Sequence, residues 1–343
     1  MKKYFTTSKY KNRNSRHIKD EYKRRKKFIS NKKTKRKKFG NLSKNEILRK
    51  REDESYRKLK APENFSFIEN TEELLGYIEI LRKCAMNRKN ILIDLSSITN
   101  LTNDAIVLIL SFVKNPKLTN GVGVRGNYPT EEKLKKIFIE SGLFKSEKNN
   151  NTTQKNYILT RRNKKADGKI AEEIIKRSSK VIFGKVGRCP GVYKALLECM
   201  ANTCYHAKPK YIAFENWWLT AYHDQDKNHV SFAFIDTGVG IFKSSKMNDF
   251  SLKFESLFGK SNNIDLLKEI ISGRQRSRTK ISFRGKGLPT IFKGIERNYY
   301  SNLKIISNDV KADLSNDNFE ILNKQFSGTF LYWELNENNR WIN

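Results

Sequence analysis

Cysteine is scarce in this chain, and its spacing is irregular: Cys84, Cys189, Cys199 and Cys204 form neither a C-x-x-C pair nor an evenly spaced framework. Disulfide scaffolds and zinc ribbons are therefore excluded. Cys199, Cys204 and His206 share one short stretch, but buried thiols on a packing face account for them better than a metal cluster does. No run of 18 apolar residues exists, so no membrane-spanning helix is expected. The N-terminus has no apolar core of the kind a secretory signal needs, which makes a reducing cytoplasm the expected compartment. Acidic residues are also few, 36 against 69 Lys and Arg, a formal net charge of +33. What remains is 343 residues, 37% of them hydrophobic, enough for ordinary cores and consistent with two domains and a tail.

The positive charge is concentrated at one end. Residues 1–60 hold 25 Lys and Arg against 6 Asp and Glu, with the runs KRRKKF (23–28) and KKTKRKKF (32–39). Neither run has helical or strand periodicity, and a segment with so little to bury is expected to be disordered or only partly helical. It is either a tether to RNA, DNA or another polyanion, driven by counterion release, or a solvated tail in a Lys/Asn-rich composition. Phe28 and Phe39 are too sparse to form a base-stacking platform.

Order is expected from about residue 62. FSFIE (65–69) reads as a strand and residues 71–87 as a helix with Thr71 at its N-cap and Leu74, Tyr77, Ile78 and Leu81 as its stripe. A strand at 90–98 breaking at Asp94, a helix at 105–115, a strand at 121–126 and a helix at 130–144 follow. Strands alternating with helices suggest an open α/β sheet. Residues 147–168, dominated by Asn, Thr and Lys, read as a linker in which only 157–159 has strand character. A helix at 170–184 leads into the most informative part of the chain.

That part comes in three pieces. ALLECMANTCYHA (195–207) reads as a helix on which Glu198 and Asn202 stand one turn apart, while Val192, Leu196, Cys199, Met200 and Thr203 fall on the opposite, core-facing side. VSFAFID (230–236) is an alternating strand ending in Asp236, followed by Gly238 and Gly240. RGKGL (284–288) is a glycine turn opening an amphipathic helix at 287–298, with Pro289 in its first turn. Strands at 210–224 and 228–238 read as a hairpin carrying Trp217 and Trp218, one of them expected in the core rather than at a ligand. Residues 241–283 read as a lid with an Arg-rich end, and strands at 303–310 and 328–335 close a mixed sheet.

The order and chemistry of these pieces resemble the GHKL ATPase superfamily: gyrase, the histidine kinases, the mismatch-repair ATPases and the bacterial anti-sigma-factor kinases. The resemblance implies a two-layer α/β sandwich, the Bergerat-type ATP-binding fold, over residues 169–338. It implies Mg²⁺ on Asn202, a catalytic Glu198, adenine binding by Asp236, Gly238 and Gly240, and phosphates lined by Gly285 and Gly287. The chemistry suits those roles. Mg²⁺ takes oxygen ligands and keeps several waters, so one carboxamide plus phosphate oxygens suffices. A carboxylate one turn away can orient or deprotonate a water or hydroxyl. Glycines at a helix N-terminus expose N–H groups to an anion, and Arg284 and Lys286 add charge there. The third piece departs from the family in its single G-x-G.

Residues 62–146 resemble a STAS domain, the fold of anti-sigma-factor antagonists, through ILIDLSSITNLTNDAIVLIL and GVRGNYPTEEKLKKIFIESGLF. In that family a phosphorylatable Ser precedes the helix; here Asn103 holds the position, with Thr102 adjacent and Ser97 earlier. The whole reading is a basic tail at 1–60, a STAS-like α/β domain, a linker and an ATP-binding domain.

Two classes of function follow. The first is an ATP- and Mg²⁺-dependent ATPase or serine/threonine kinase acting as a switch, with a regulatory protein partner at the STAS-like domain and a homodimer among the assemblies considered. Asn103 in place of the acceptor leans away from self-phosphorylation. None of His17, His206, His223 and His229 lies on an upstream pair of dimerisation helices, which disfavours a histidine kinase. The second class is a non-enzymatic docking or nucleic-acid-binding module held by the tail.

Overall fold

The computed structural model of the protein describes residues 8, 12, 15–16, 19–27, 30, 55–141, 156–206, 216–246, 263–273 and 287–341. The chain divides into two compact units, Met1–Tyr56 and Arg57–Asn343. In the first, residues 19–27 are helical and exposed, and Arg25 pairs with Glu21 one turn earlier at 3.1 Å.

The second unit begins at β1 (Arg57–Lys60), five residues ahead of the expected start. Its sequence RKLK hides a strand because it lies at a sheet edge, where charged side chains are tolerated and discourage further pairing. β1 runs parallel to β3 (Ile91–Asp94), which runs parallel to β5 (Val124–Gly126). Helix α1 (Thr71–Met86) buries Leu74, Tyr77, Ile78 and Leu81, the expected stripe, but its N-cap is Asn70 and not Thr71. The expected strand at 65–69 shrinks to β2 (Asn64–Phe65), paired with β4 (Asn100–Leu101). Beyond Phe65 the chain turns, because the Asn70 N–H donates to the Ser66 carbonyl and the Thr71 hydroxyl to that of Phe67. Such local bonds compete with a strand ladder.

Helix α2 (Asn103–Val113) is buried from Asn103 through Phe112. A helix buried on every side needs cover on every side. Its cover comes from the N-terminal elements and from β7 (Trp217–Asp224) and β8 (His229–Asp236) of the larger sheet. Two short helices follow, α3 (Pro116–Thr119) and α4 (Glu132–Glu140).

The second sheet has the order β6-β7-β8-β10-β9, built from β6 (Asn156–Asn163), β7 (Trp217–Asp224), β8 (His229–Asp236), β9 (Ser301–Asp313) and β10 (Asn318–Asn336). Every neighbouring pair is antiparallel, which corrects the expectation of a mixed sheet. The stretch read as a linker supplies β6: Ile158 is buried there, and Arg161 and Arg162 suit an edge strand.

Side chains alternate across this sheet into two cores. Trp217, Leu219, Phe232, Phe234, Leu331 and Trp333 face one way, beneath α5 (Gly168–Phe183), α6 (Pro190–His206), α8 (Asn263–Ser272) and α9 (Gly287–Glu296). Trp218, Ala233, Ile235, Ile306 and Phe330 face the other way, into a core shared with α1, α2 and β3. A two-layer sandwich leaves that second face open; here the N-terminal elements fill it, and Phe67 packs edge-on against Phe330 at 5.0 Å. The architecture is mixed α/β with helices on both faces of the larger sheet. Among the described residues no helix is long and apolar enough to cross a membrane.

Candidate functional site

Helix α6 presents its apolar side to the sheet: Val192, Leu196, Met200 and Thr203 are fully buried, and Cys199 is 1% exposed. Glu198 and Asn202 are left half-buried on the other side, as their spacing predicts. Neither side chain has a hydrogen bond or ion pair among the described residues.

Gly287, the first residue of α9, stands against this face. A Cβ on Gly287 would lie 2.8 Å from both Oδ1 and Nδ2 of Asn202, a distance real Cβ atoms do not adopt. The first and third sequence pieces thus meet at one carboxamide, and a side chain at 287 would make that head group shift. Arg284, Gly285 and Lys286 lie outside the described residues, as does the Arg-rich end of the expected lid. Of that lid the structure describes α7 (Ile241–Lys246) and α8.

Asp236 ends β8 at 5% exposure, and its Oδ1 accepts the Gly238 N–H at 2.9 Å. Gly240 has φ +83°, and a Cβ there would strike the Asn308 side chain. Cys199 lies near both Glu198 and Asp236. Burial raises that thiol's pKa, and the charges of Glu198 and Asp236 raise it further.

Residues not singled out in the sequence build the floor of the Asp236–Gly240 loop. Ser307 Oγ accepts the Ile241 N–H at 2.9 Å and donates to the Gly328 carbonyl at 2.8 Å. Asn308 accepts the Phe242 N–H at 3.2 Å and donates to the Val239 carbonyl at 3.0 Å. Asn308 has φ +53° within a strand, an uncommon backbone for a residue with a side chain and a mark of a built position. Gly328, at φ +134°, lies where a Cβ would fall 2.0 Å from the Asp236 carbonyl, and Thr329 pairs with Asp236 across β10 and β8. The available signals were polar S-N-D inside an apolar strand and a glycine inside another.

The position resembling a STAS phosphoacceptor is closed. Asn103 is 7% exposed; its Nδ2 donates to the Ser231 carbonyl at 3.0 Å, and its own carbonyl accepts the Thr220 hydroxyl at 3.1 Å. The neighbouring Thr102 hydroxyl donates to the Phe65 carbonyl at 3.3 Å. Both tryptophans of β7 are core residues, Trp217 stacking on Phe234 and donating to the Lys165 carbonyl at 2.9 Å. His223 is fully buried with Nε2 3.2 Å from Ser178 Oγ, a structural position.

Magnesium prefers oxygen ligands and retains water. Asn202 and Glu198 supply such oxygens one turn apart, and no cluster of three His, Cys, Asp or Glu stands among the described residues. An ion on this face would take its remaining ligands from a phosphate and from water. Comparison with protein-family models and with curated proteins finds no match.

Proposed function

We propose that the protein is a nucleotide-dependent switch of the GHKL kind. It would bind Mg·ATP between α6, the Asp236–Gly240 loop and the start of α9, with a STAS-like block seated on the back of the sheet. The observation that carries this reading is the approach of Gly287 to the Asn202 carboxamide, because it joins two motifs separated by more than 80 residues at the chemistry they are read for.

Under this reading Asn202 would hold the metal, which would in turn anchor the phosphates. A bound Mg²⁺ would offset the charge of the triphosphate. Glu198 orients an attacking water or hydroxyl and takes up its proton, the work of a general base. Asp236 accepts from the adenine amino group, and Gly238 and Gly240 let the backbone turn close to the base. The N-terminal amides of α9 face the phosphates. The burial of Asn103 favours a hydrolysing or ATP-sensing switch over a kinase that modifies its own N-terminal block.

The test is Mg·ATP titration and turnover on the full chain. Asn202→Ala is expected to lose binding. Glu198→Ala is expected to bind but turn over about 10²- to 10⁴-fold more slowly. A folded wild type that binds no nucleotide at millimolar ATP sinks the reading.

One observation favours an additional role in polyanion binding. The exposed helical residues 19–27 carry Lys19, Lys23, Arg24, Arg25, Lys26 and Lys27 against Asp20 and Glu21. Counterion release would make RNA or DNA binding steeply salt-dependent and lost on deleting residues 1–56. Binding that survives the deletion overturns this role.

A further inference from the structure

The last residue before α3, Asn115, belongs to the N-terminal block yet touches the Asp236–Gly240 loop. It is 3% exposed, and both ends of its carboxamide are used. Oδ1 caps α3 by accepting the Lys117 N–H at 3.1 Å, while Nδ2 donates to the Thr237 hydroxyl at 3.1 Å. The cap fixes which way the amide faces, since a flipped amide would set a donor against the Lys117 N–H. Thr237 lies between Asp236 and Gly238. The same loop is held from within by Asp236 Oδ1 on the Gly238 N–H and, from β9, by Ser307 and Asn308.

The element behind Asn115 is firmly seated. Helix α2 is bonded to the sheet through Asn103, and Arg162 of β6 donates to the Lys114 carbonyl at 2.9 Å, one residue before Asn115. A shift of α2 along the sheet would carry Asn115 away from Thr237 and release that side of the loop.

We infer that Asn115 is a positioning residue for the Asp236–Gly240 loop, so that nucleotide affinity reports the seating of the N-terminal block. The inference rests on the nucleotide reading of that loop given above. By reciprocity, nucleotide binding tightens the seating of the block by the same factor. A partner that pulled on α2 would lower affinity without touching the nucleotide.

A double-mutant cycle on the full chain tests this, using Asn115→Ala, Thr237→Val and the double variant. The readouts are amide hydrogen exchange at Gly238, Ile241 and Phe242 without nucleotide, and the Kd for Mg·ATP. Each single variant is expected to speed exchange and weaken binding about fivefold, the scale of one net hydrogen bond. The double variant should be no worse than Thr237→Val beyond what loss of the α3 cap adds, because a shared contact is non-additive and an independent structural loss is not. Thr237→Ser, which keeps the hydroxyl, should restore both readouts. Should Asn115→Ala fail to fold, Thr237→Val against Thr237→Ser carries the test with the cap intact. Unchanged exchange in Asn115→Ala and Thr237→Val, or full additivity of their effects, overturns the inference. Coupled exchange in a wild type that binds no Mg·ATP overturns the proposed function instead and leaves the loop-positioning role standing.

Discussion

The carboxamide nitrogen of Asn103 donates to the carbonyl oxygen of Ser231 at 3.0 Å, across 128 residues of chain. This bond joins the buried N-terminus of α2 to the middle of β8, and the Thr220 hydroxyl answers it at 3.1 Å. Asn103→Ala should cost about 1–3 kcal/mol, because it strips a partner from buried polar groups. Urea unfolding reads it directly. Asn103→Ser would restore a hydroxyl at the position resembling a phosphoacceptor. Incubated with Mg·ATP, that variant should gain no phosphate at residue 103 by peptide mass spectrometry, since the site is 7% exposed. Phosphate found there would mean that the block leaves the sheet.

Gly287→Ala probes the meeting of α6 and α9. The added methyl would lie 2.8 Å from the Asn202 head group, so carboxamide or helix must move. A displacement of that kind should weaken Mg·ATP binding roughly 10- to 100-fold. The circular dichroism spectrum should remain that of the wild type. Unaltered affinity would mean that the close approach of Gly287 to Asn202 is not needed for binding.

Glu334 supplies a pH dependence. Burial raises its pKa, but hydrogen bonds from His229, Tyr332 and Asn302 and the charge of His229 outweigh it and bring the value down to about 2, from 4.5. The carboxylate is therefore stabilising above pH 4.5, and that contribution is lost as pH falls from there through about 2. The shift corresponds to about 3 kcal/mol. Glu334→Gln should lower the urea midpoint near neutral pH and flatten its slope between pH 4.5 and 2. Parallel acid curves for variant and wild type would show that the pair adds nothing.

The shared core makes the C-terminal elements dependent on the N-terminal ones. A fragment of residues 156–341 would expose Trp218, Ile235, Ile306, Phe326 and Phe330, each worth about 1.5–3 kcal/mol when buried. It should be insoluble or bind a hydrophobic dye strongly, whereas residues 57–341 should behave as one cooperative unit. A monomeric, cooperatively folding fragment would show that the second face needs no cover.

The helices were legible because their apolar periodicity records a single buried side. The stripes of α1 and α6 lie where 3.6-residue spacing puts them, and Glu198 and Asn202 share a face for the same reason. Local chemistry also marked Asp236, Gly238 and Gly240 at a strand end. The strands β1 and β6 were harder to see, because edge strands carry charge and need only one apolar face. Strand direction was misread for the larger sheet, since alternation along a strand says nothing about which way its neighbour runs.

Residue order alone thus carried the local elements, the basic N-terminal charge and the pairing of Glu198 with Asn202, all of which depend on neighbours within a turn or two. Three relationships came only from folding. Gly287 reaches Asn202, Asn115 reaches Thr237, and α2 closes the second face of the sheet through Asn103. Each joins residues more than 80 positions apart, where neither propensity nor periodicity extends. What brings them together is a sheet buried on both faces, with the fully buried helix α2 closing one core and α6 and α9 covering the other.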